Sequence, residues 1–153
     1  MNTLKEERNR GYLIAGIGGI VALISFLFLP YITAVIISLS GAQAAGFDGL
    51  LWLEAITALI TIAVAALLIF RSTNPFGMST TPLATQIRWG VYGLIGAGAL
   101  GLLVHILALI GSASSLGQAS AFGVGYGFGF WLYLLAMIAV VVGGVLAMRT
   151  ASA

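Results

Sequence analysis

Two ionisable residues, Glu54 and His105, lie within long apolar stretches of the sequence. Ionisable side chains are costly inside a bilayer, and they often mark the places where ions or protons are bound. A glutamate supplies an acceptor, and histidine is the side chain that generally changes its charge near neutral pH. The pair therefore predicts a proton- or cation-responsive site. The alternative, which we favour, is a structural role in which neighbouring groups satisfy each side chain.

The spacing of the two residues allows them to meet. Glu54 lies near the outer end of one apolar stretch, and His105 precedes Gly111 near the outer end of the next. By helical rise their depths differ by about 3–6 Å, so a direct or water-bridged contact is allowed. Small or weakly polar residues share the helical faces of both, with Leu94 the exception: Thr57, Ala58, Thr61 and Ala65 beside Glu54, and Gly90, Gly93, Ala97, Gly98 and Gly101 beside His105. We therefore expect a candidate polar site made of Glu54, His105, Thr57 and Thr61, facing protein rather than lipid.

Other chemistry has little support in the sequence. One histidine and one carboxylate are too few ligands for a zinc site, and the chain has no cysteine. The sequence contains no nucleophile elbow, no pair of metal-binding histidines and no phosphate-binding loop. We therefore predict a protein that is not an enzyme, with no catalytic residues, no metal and no cofactor.

The composition indicates which solvent surrounds the chain. Of its 153 residues 61% are hydrophobic and only 7% are charged. This number of charges is too small to cover a surface that faces water. We therefore expect the lipid bilayer to be the main partner. The six scattered Lys and Arg residues form no basic face, which argues against nucleic-acid binding.

Long apolar runs predict an all-α fold, a single domain over residues 1–153 that is a bundle of four transmembrane helices. The predicted spans cover about 11–39 with a kink at Pro30, 50–70, 90–111 and 122–148, with a cytoplasmic loop at 71–89. The first run is too long for a signal peptide, so we expect it to be retained. A β-barrel would alternate apolar and polar residues, and these runs do not.

The positions of the cations predict the orientation of the bundle. Lys5, Arg8, Arg10, Arg71, Arg88 and Arg149 all fall on one side of the predicted spans, whereas the loops 41–49 and 112–121 contain no cation. By the positive-inside rule both termini are cytoplasmic, and the protein is a multi-pass protein of the plasma membrane. Aromatic residues near the span ends are predicted to be interface anchors: Tyr12, Trp89 and Tyr92 on the inner side, and Tyr31, Trp52 and Tyr126 on the outer side.

Glycine and alanine recur at spacings that are typical of helix packing in lipid. The predicted packing positions are Gly93, Ala97, Gly101, Gly123, Gly125, Gly127 and Gly129. Val124 to Gly127 read V-G-Y-G, which resembles a potassium-channel filter, but the preceding threonine and pore helix of such a filter are missing. We therefore interpret these glycines as the outer helical turn of span four, and we expect a homo-oligomer or a membrane-protein partner.

The order of these features resembles small, largely uncharacterised bacterial four-helix membrane proteins whose first span ends in Phe-Leu-Pro-aromatic, here Phe28 to Tyr31. The resemblance implies a bacterial inner-membrane location and a topology, but no activity. Gly49 to Trp52 are also loosely similar to the Gly-Leu-Trp element of claudin-type four-span proteins, whose first outer loop forms a sheet. This chain lacks the cysteine pair of that loop.

The predicted function is that of a structural or accessory four-helix unit that associates with itself. The alternative is a small channel or transporter with a pH- or cation-responsive site at Glu54 and His105. The first is favoured because the inner halves of spans two and four, "IAVAALLIF" and "IAVVVGGVLAM", contain no polar side chain.

Overall fold

The computed structural model of the chain describes residues 2–34, 38–45, 49–71, 73–119 and 124–151. The elements in chain order are α1 (Asn2–Phe28), β1 (Pro30–Thr33), β2 (Ser38–Ser40), α2 (Gly41–Ala44), a 3₁₀ helix (Gly49–Leu51), α3 (Trp52–Phe70), α4 (Leu83–Ala119), β3 (Gly125–Tyr126) and α5 (Phe128–Ala151). The chain is mostly helical, and α1, α3, α4 and α5 are long and apolar enough to cross a membrane. This confirms the helical bundle in its coarse form.

The four long helices form a ring in which α1 and α4 each pack against both α3 and α5. Glycines bring the helices close together. A Cβ atom at Gly11 of α1 would lie only 2.7 Å from the carbonyl oxygen of Gly143 on α5, and one at Gly90 of α4 would lie 2.7 Å from Leu68 on α3. These contacts place the starts of α1 and α4 at the same end of the bundle as the ends of α3 and α5. We call this the cationic end, because it carries the lysine and arginine residues.

Pro30 ends the first helix rather than kinking it. Helix α1 stops at Phe28, and the chain continues from Pro30 as an extended strand. The reason is local, since the residue before a proline is disfavoured in the helical region and proline has no N–H to continue the helix. The prediction of one kinked helical span over residues 11–39 is therefore wrong beyond Phe28.

A small sheet caps the end of the bundle opposite the cationic end. Its strand order is β2-β1-β3, and both neighbours of β1 run antiparallel to it. β1 and β2 come from the segment between α1 and α3, whereas β3 lies between α4 and α5. The sheet therefore joins both connections at this end of the bundle, a feature that the all-α prediction did not contain.

The glycine-rich segment before α5 is extended where it was predicted to be helical. Gly125 and Tyr126 form β3 and pair with Thr33 and Ile32, and α5 begins only at Phe128. The carbonyl oxygen of Gly125 accepts a hydrogen bond from the Thr33 hydroxyl at 3.4 Å. The interpretation of this segment as a helical turn is therefore wrong, because strand pairing with β1 satisfies its backbone. Gly123 lies outside the described residues.

The connection at the cationic end is shorter than predicted. Helix α4 begins at Leu83, directly after Pro82, so the last seven residues of the predicted loop 71–89 are helical. The buried side chain of Gln86 organises what remains of the loop. It donates hydrogen bonds of 2.9 Å to the carbonyl oxygens of Met78 and Thr81, and its amide oxygen accepts one of 3.2 Å from the Phe76 N–H.

Apolar side chains cover both the inside and the outside of the bundle. The interior contains small residues where helices touch, such as Ala15, Ala58 and Ala65, and larger ones such as Leu94 and Met137. Outward-facing leucine, isoleucine and phenylalanine residues are exposed along all four long helices. An apolar exterior of this kind suits a lipid environment rather than water.

Candidate functional site

Helix α3 places Glu54 in its first turn, following the 3₁₀ helix at Gly49–Leu51. The side chain points into the bundle and is 0% exposed. Helix N-termini carry a partial positive charge and backbone N–H groups without helical partners, so a carboxylate is more stable there than in the middle of a helix. The start of α3 is therefore the least costly part of this helix in which to bury an acidic side chain.

Two side chains from other elements donate hydrogen bonds to the two carboxylate oxygens of Glu54. His105, on α4 and 1% exposed, approaches through its Nδ1 atom, which lies 2.9 Å from Oε1. Tyr31, on β1 and also 1% exposed, donates its hydroxyl to Oε2. The contact between Glu54 and His105 that the helical spacing allowed is thus formed. Tyr31 adds a second donor, which the sequence did not indicate.

Side-chain hydrogen bonds also fix the backbone of Glu54. Its carbonyl oxygen accepts hydrogen bonds from the hydroxyl of Tyr133 on α5 at 3.0 Å and from Thr57 at 2.9 Å. Thr61 donates to the carbonyl oxygen of Thr57 at 2.9 Å. Both predicted threonines are therefore buried in the site, but they bind the backbone of α3 and not the carboxylate.

Aromatic rings surround the histidine. The imidazole of His105 lies 3.9 Å from the ring of Phe130 and 5.0 Å from that of Tyr133, measured between centroids; it is tilted by 32° to the first ring and stacks on the second at 23°. Because Nδ1 faces a carboxylate, we assign the proton to that nitrogen. The other nitrogen, Nε2, is buried and has no hydrogen-bond partner in the described part of the chain.

Gly101 makes room for this cluster, which we call the Glu54 cluster and define as Tyr31, Glu54, Thr57, His105 and Tyr133. A Cβ atom at Gly101 would lie 3.0 Å from the Thr57 hydroxyl and 3.2 Å from that of Tyr133. Any larger residue at this position of α4 would therefore push the polar groups apart.

The other predicted packing positions differ in what they contact. Ala97 is buried, but a Cβ at Gly93 would meet only Val64 at 3.9 Å, which is ordinary contact. Gly129 packs closely on Leu29, and Gly127 packs against the backbone of Pro30 in β1. A Cβ at Gly125 would meet nothing within 4 Å, so close packing does not require glycine there. The prediction that Gly125 and Gly127 pack against a neighbouring helix is wrong, because Gly125 lies in β3 and Gly127 lies between β3 and α5.

The surroundings of Tyr31 fix its protonation state. It lies on β1, beyond the end of α1, and burial raises the pKa of its hydroxyl far above the usual value. The negative charge of Glu54 and the hydrogen bond to it raise that pKa further. Tyr31 therefore keeps its proton and acts as a donor to the carboxylate at any physiological pH.

Sequence reasoning missed the tyrosines of the site. Tyr31 was predicted to be an interface anchor, as was Tyr12, yet the two side chains are only 1% and 2% exposed. Tyr133 was not singled out, although it lies on the same helical face as the buried Phe130 and Met137. Trp52, in contrast, is about half exposed, as an anchor would be.

The arrangement is suited to holding a proton beside a buried carboxylate. Its titratable members are Glu54, His105, Tyr31 and Tyr133, from α3, α4, β1 and α5. Among the residues that the structure describes, no group of three His, Cys, Asp or Glu side chains is placed to hold a metal ion. Comparison of the chain with protein-family models, with curated proteins and with solved structures gave no match.

Proposed function

We propose that this chain is a non-enzymatic integral membrane protein that acts as a structural or accessory four-helix unit and associates with further copies or with another membrane protein. The observation that carries this proposal is the closure of the Glu54 cluster. Glu54 and His105 are 0% and 1% exposed, and their mutual hydrogen bond links α3 to α4. A polar group that is sealed and internally bonded stabilises a fold, whereas a transport site needs access to water.

The bundle is proposed to lie in a bacterial inner membrane with both termini in the cytoplasm. The contact between the start of α1 and the end of α5 supports this, because it brings Arg8, Arg10 and Arg149 to one end. Arg71 directly follows α3, and Arg88 lies in the second turn of α4, at the same end. A concentration of cations at one end is typical of the cytoplasmic side.

The likeness to claudin-type proteins remains part of the proposal. A sheet in the outer loops is what that resemblance implies, and β1, β2 and β3 supply one that joins both loops. The Gly49–Leu51 turn leads directly into α3 at Trp52, beside the sheet. The absence of cysteine means that hydrogen bonds, not a disulfide, hold this sheet together.

Self-association is supported by a groove on the outside of the bundle. It lies between α1 and α5, has a volume of about 330 Å³, and is lined by Ile14, Ile17, Gly18, Val21, Leu132, Leu135, Ala136 and Ala139. Small residues at the floor of such a groove allow another helix to approach closely in lipid.

Mass determination tests this function directly. The purified protein is measured in mild detergent and in lipid nanodiscs, together with a variant in which Ala139→Trp fills the groove. We expect the wild type to be a dimer or larger and the variant to shift toward monomer. A wild type that stays monomeric at high protein concentration in both media contradicts self-association.

A small channel or transporter is the second candidate, favoured by the unpartnered Nε2 atom of His105 beside a buried carboxylate. Such an arrangement would take up a proton if the outer sheet opened. Flux of protons and monovalent cations into proteoliposomes is the measurement. Flux that disappears in Glu54→Gln but persists in a control variant at the exposed Glu6 would support transport. Absence of flux at every pH tested would remove this candidate.

A further inference from the structure

A second polar feature lies at the cationic end of the bundle, on α1. The Nε atom of Arg8 and the hydroxyl of Tyr12 are both buried, and neither has a hydrogen-bond partner within the described residues. Tyr12 is 2% exposed, and Arg8 is partly buried. The two residues are four apart, so their side chains lie one above the other on the same face of the helix. The positive charge of Arg8 is near enough to act on the Tyr12 hydroxyl.

Neither donor atom has a hydrogen-bond partner, and no acidic side chain of the described residues, Glu7 included, pairs with Arg8. Arg10, two residues further along, pairs with Glu6 at 3.2 Å, and both of those side chains are largely exposed. Glu54 lies at the other end of the bundle, bound to His105. Among the described residues, Arg8 therefore forms no ion pair. Buried polar groups are normally hydrogen-bonded, and a guanidinium can only donate, so this position calls for an acceptor that carries negative charge.

The location narrows the chemistry of that acceptor. The first apolar span begins at Glu6, so Arg8 and Tyr12 lie about where lipid headgroups meet the hydrocarbon. Arg149, in the last turn of α5, adds positive charge at the same end of the bundle. Guanidinium groups bind phosphate oxygens through paired hydrogen bonds, and basic pockets between transmembrane helices bind acidic headgroups.

We propose that Arg8 and Tyr12 form a binding site for a phosphate oxyanion, which is supplied by the headgroup of an acidic phospholipid or by free inorganic phosphate. The Nε–H of Arg8 and the hydroxyl of Tyr12 donate to the phosphate oxygens. The close approach of α1 to α5 at Gly11 fixes the helix face from which both donors project.

The experiment has one arm for each source of phosphate. In the lipid arm, native mass spectrometry measures the retention of phosphatidylglycerol against phosphatidylcholine by protein released from mixed vesicles. In the free-anion arm, calorimetry measures the binding of inorganic phosphate in a neutral detergent. Binding in the first arm alone identifies a headgroup site, and binding in the second arm identifies a site for the free anion.

Variants separate a built site from general attraction between charges. Arg8→Gln is expected to weaken binding about tenfold and Tyr12→Phe several-fold, since each removes a hydrogen bond to a charged group. Arg10→Gln is the matched control, because it removes the same charge from an exposed ion pair, and its effect should stay within about twofold for such a pair. Arg8→Lys keeps the charge without the paired donors and gives an intermediate result, which also covers the case in which Arg8→Gln does not fold.

Two results would overturn the proposal. One is an equal loss of binding in Arg8→Gln and Arg10→Gln, which would mean that only the total charge matters. The other is a wild type that binds neither phosphatidylglycerol in preference to phosphatidylcholine nor inorganic phosphate.

Discussion

Removing the Tyr31 hydroxyl should destabilise the protein more than its size suggests. Tyr31→Phe deletes a single oxygen atom, the one that donates to Oε2 of Glu54. The ring that packs edge-on against Phe26 at 5.9 Å and Phe130 at 5.5 Å is kept. The measured loss therefore reports the hydrogen bond to Glu54 and little of the apolar packing.

The magnitude follows from how few donors the carboxylate has. Glu54 is 0% exposed, and its only side-chain partners among the described residues are Tyr31 and His105. A hydrogen bond to a charged group contributes about 1.5–3 kcal/mol, compared with about 0.5–1.5 kcal/mol between neutral groups. Since no water replaces the lost donor in a sealed site, we expect Tyr31→Phe to lower the unfolding free energy by about 2–3 kcal/mol.

Tyr133→Phe is the matched control, because it also removes one buried hydroxyl from the cluster. That hydroxyl donates to the backbone oxygen of Glu54 at 3.0 Å, and Thr57 donates to the same oxygen at 2.9 Å. The acceptor is uncharged and keeps one side-chain donor. A loss of only about 0.5–1 kcal/mol is therefore expected for Tyr133→Phe.

Unfolding in mixed detergent micelles, followed by tryptophan fluorescence and circular dichroism, measures both variants on the same scale. A double-mutant cycle that combines Tyr31→Phe with Glu54→Gln then isolates the contribution of the Glu54 charge to this hydrogen bond. If Glu54 is ionised, the cost of Tyr31→Phe falls by at least about 1 kcal/mol in the Gln background. Equal losses in Tyr31→Phe and Tyr133→Phe, or a cycle that is simply additive, would refute an ionised Glu54 as the acceptor.

Three further outcomes are expected. Gly11→Ala should lower the free energy of unfolding by about 1–3 kcal/mol in the same assay, because its Cβ would lie 2.7 Å from a carbonyl oxygen of α5. An unchanged unfolding midpoint would contradict this and show that α1 and α5 can move apart without loss of stability. Gly127→Ala should speed amide hydrogen exchange in residues 31–33, since its Cβ would collide with the backbone of Pro30, whereas Gly125→Ala, with nothing within 4 Å, should not. The free energy of unfolding should fall as the pH rises above about 10, because the raised pKa of Tyr31 keeps a proton on the folded protein that the unfolded chain loses. If this free energy falls equally steeply with pH in the wild type and in Tyr31→Phe, the prediction is wrong.

The four long apolar helices and the contact between Glu54 and His105 followed from properties that a sequence carries locally. Long apolar runs specify helices in lipid, because every backbone group must be bonded within its own segment. Glu54 and His105 stood out because ionisable residues are rare in such runs, and their similar depth predicted the contact that forms at 2.9 Å. Depth is set by helical rise alone, so it needs no knowledge of the tertiary structure.

The tyrosines and the sheet depend on tertiary contacts that the sequence does not display. Tyr31 follows Pro30 at the end of an apolar run, where an aromatic side chain facing the interface and one turned inward have the same local sequence. The strands contain two to four residues each, too few for an alternating pattern to appear. The Gly125–Tyr126 segment pairs with a strand about 90 residues earlier, and that distant partner, rather than its own glycines, makes it extended.

The position of Glu54 explains what a buried carboxylate contributes to a bundle that is held mostly by apolar contacts. Apolar packing between helices in lipid favours no arrangement strongly, because lipid tails are as apolar as the side chains they replace. Glu54, on α3, receives donors from α4 through His105, from α5 through Tyr133, and from β1, which directly follows α1, through Tyr31. A shift of α3 against α4 or against β1 would leave the charged side chain of Glu54 without a donor, which costs several kcal/mol. We infer that the carboxylate sets the register of α3 against α4 and seats the sheet on these two helices, roles that apolar side chains of similar volume would not fulfil.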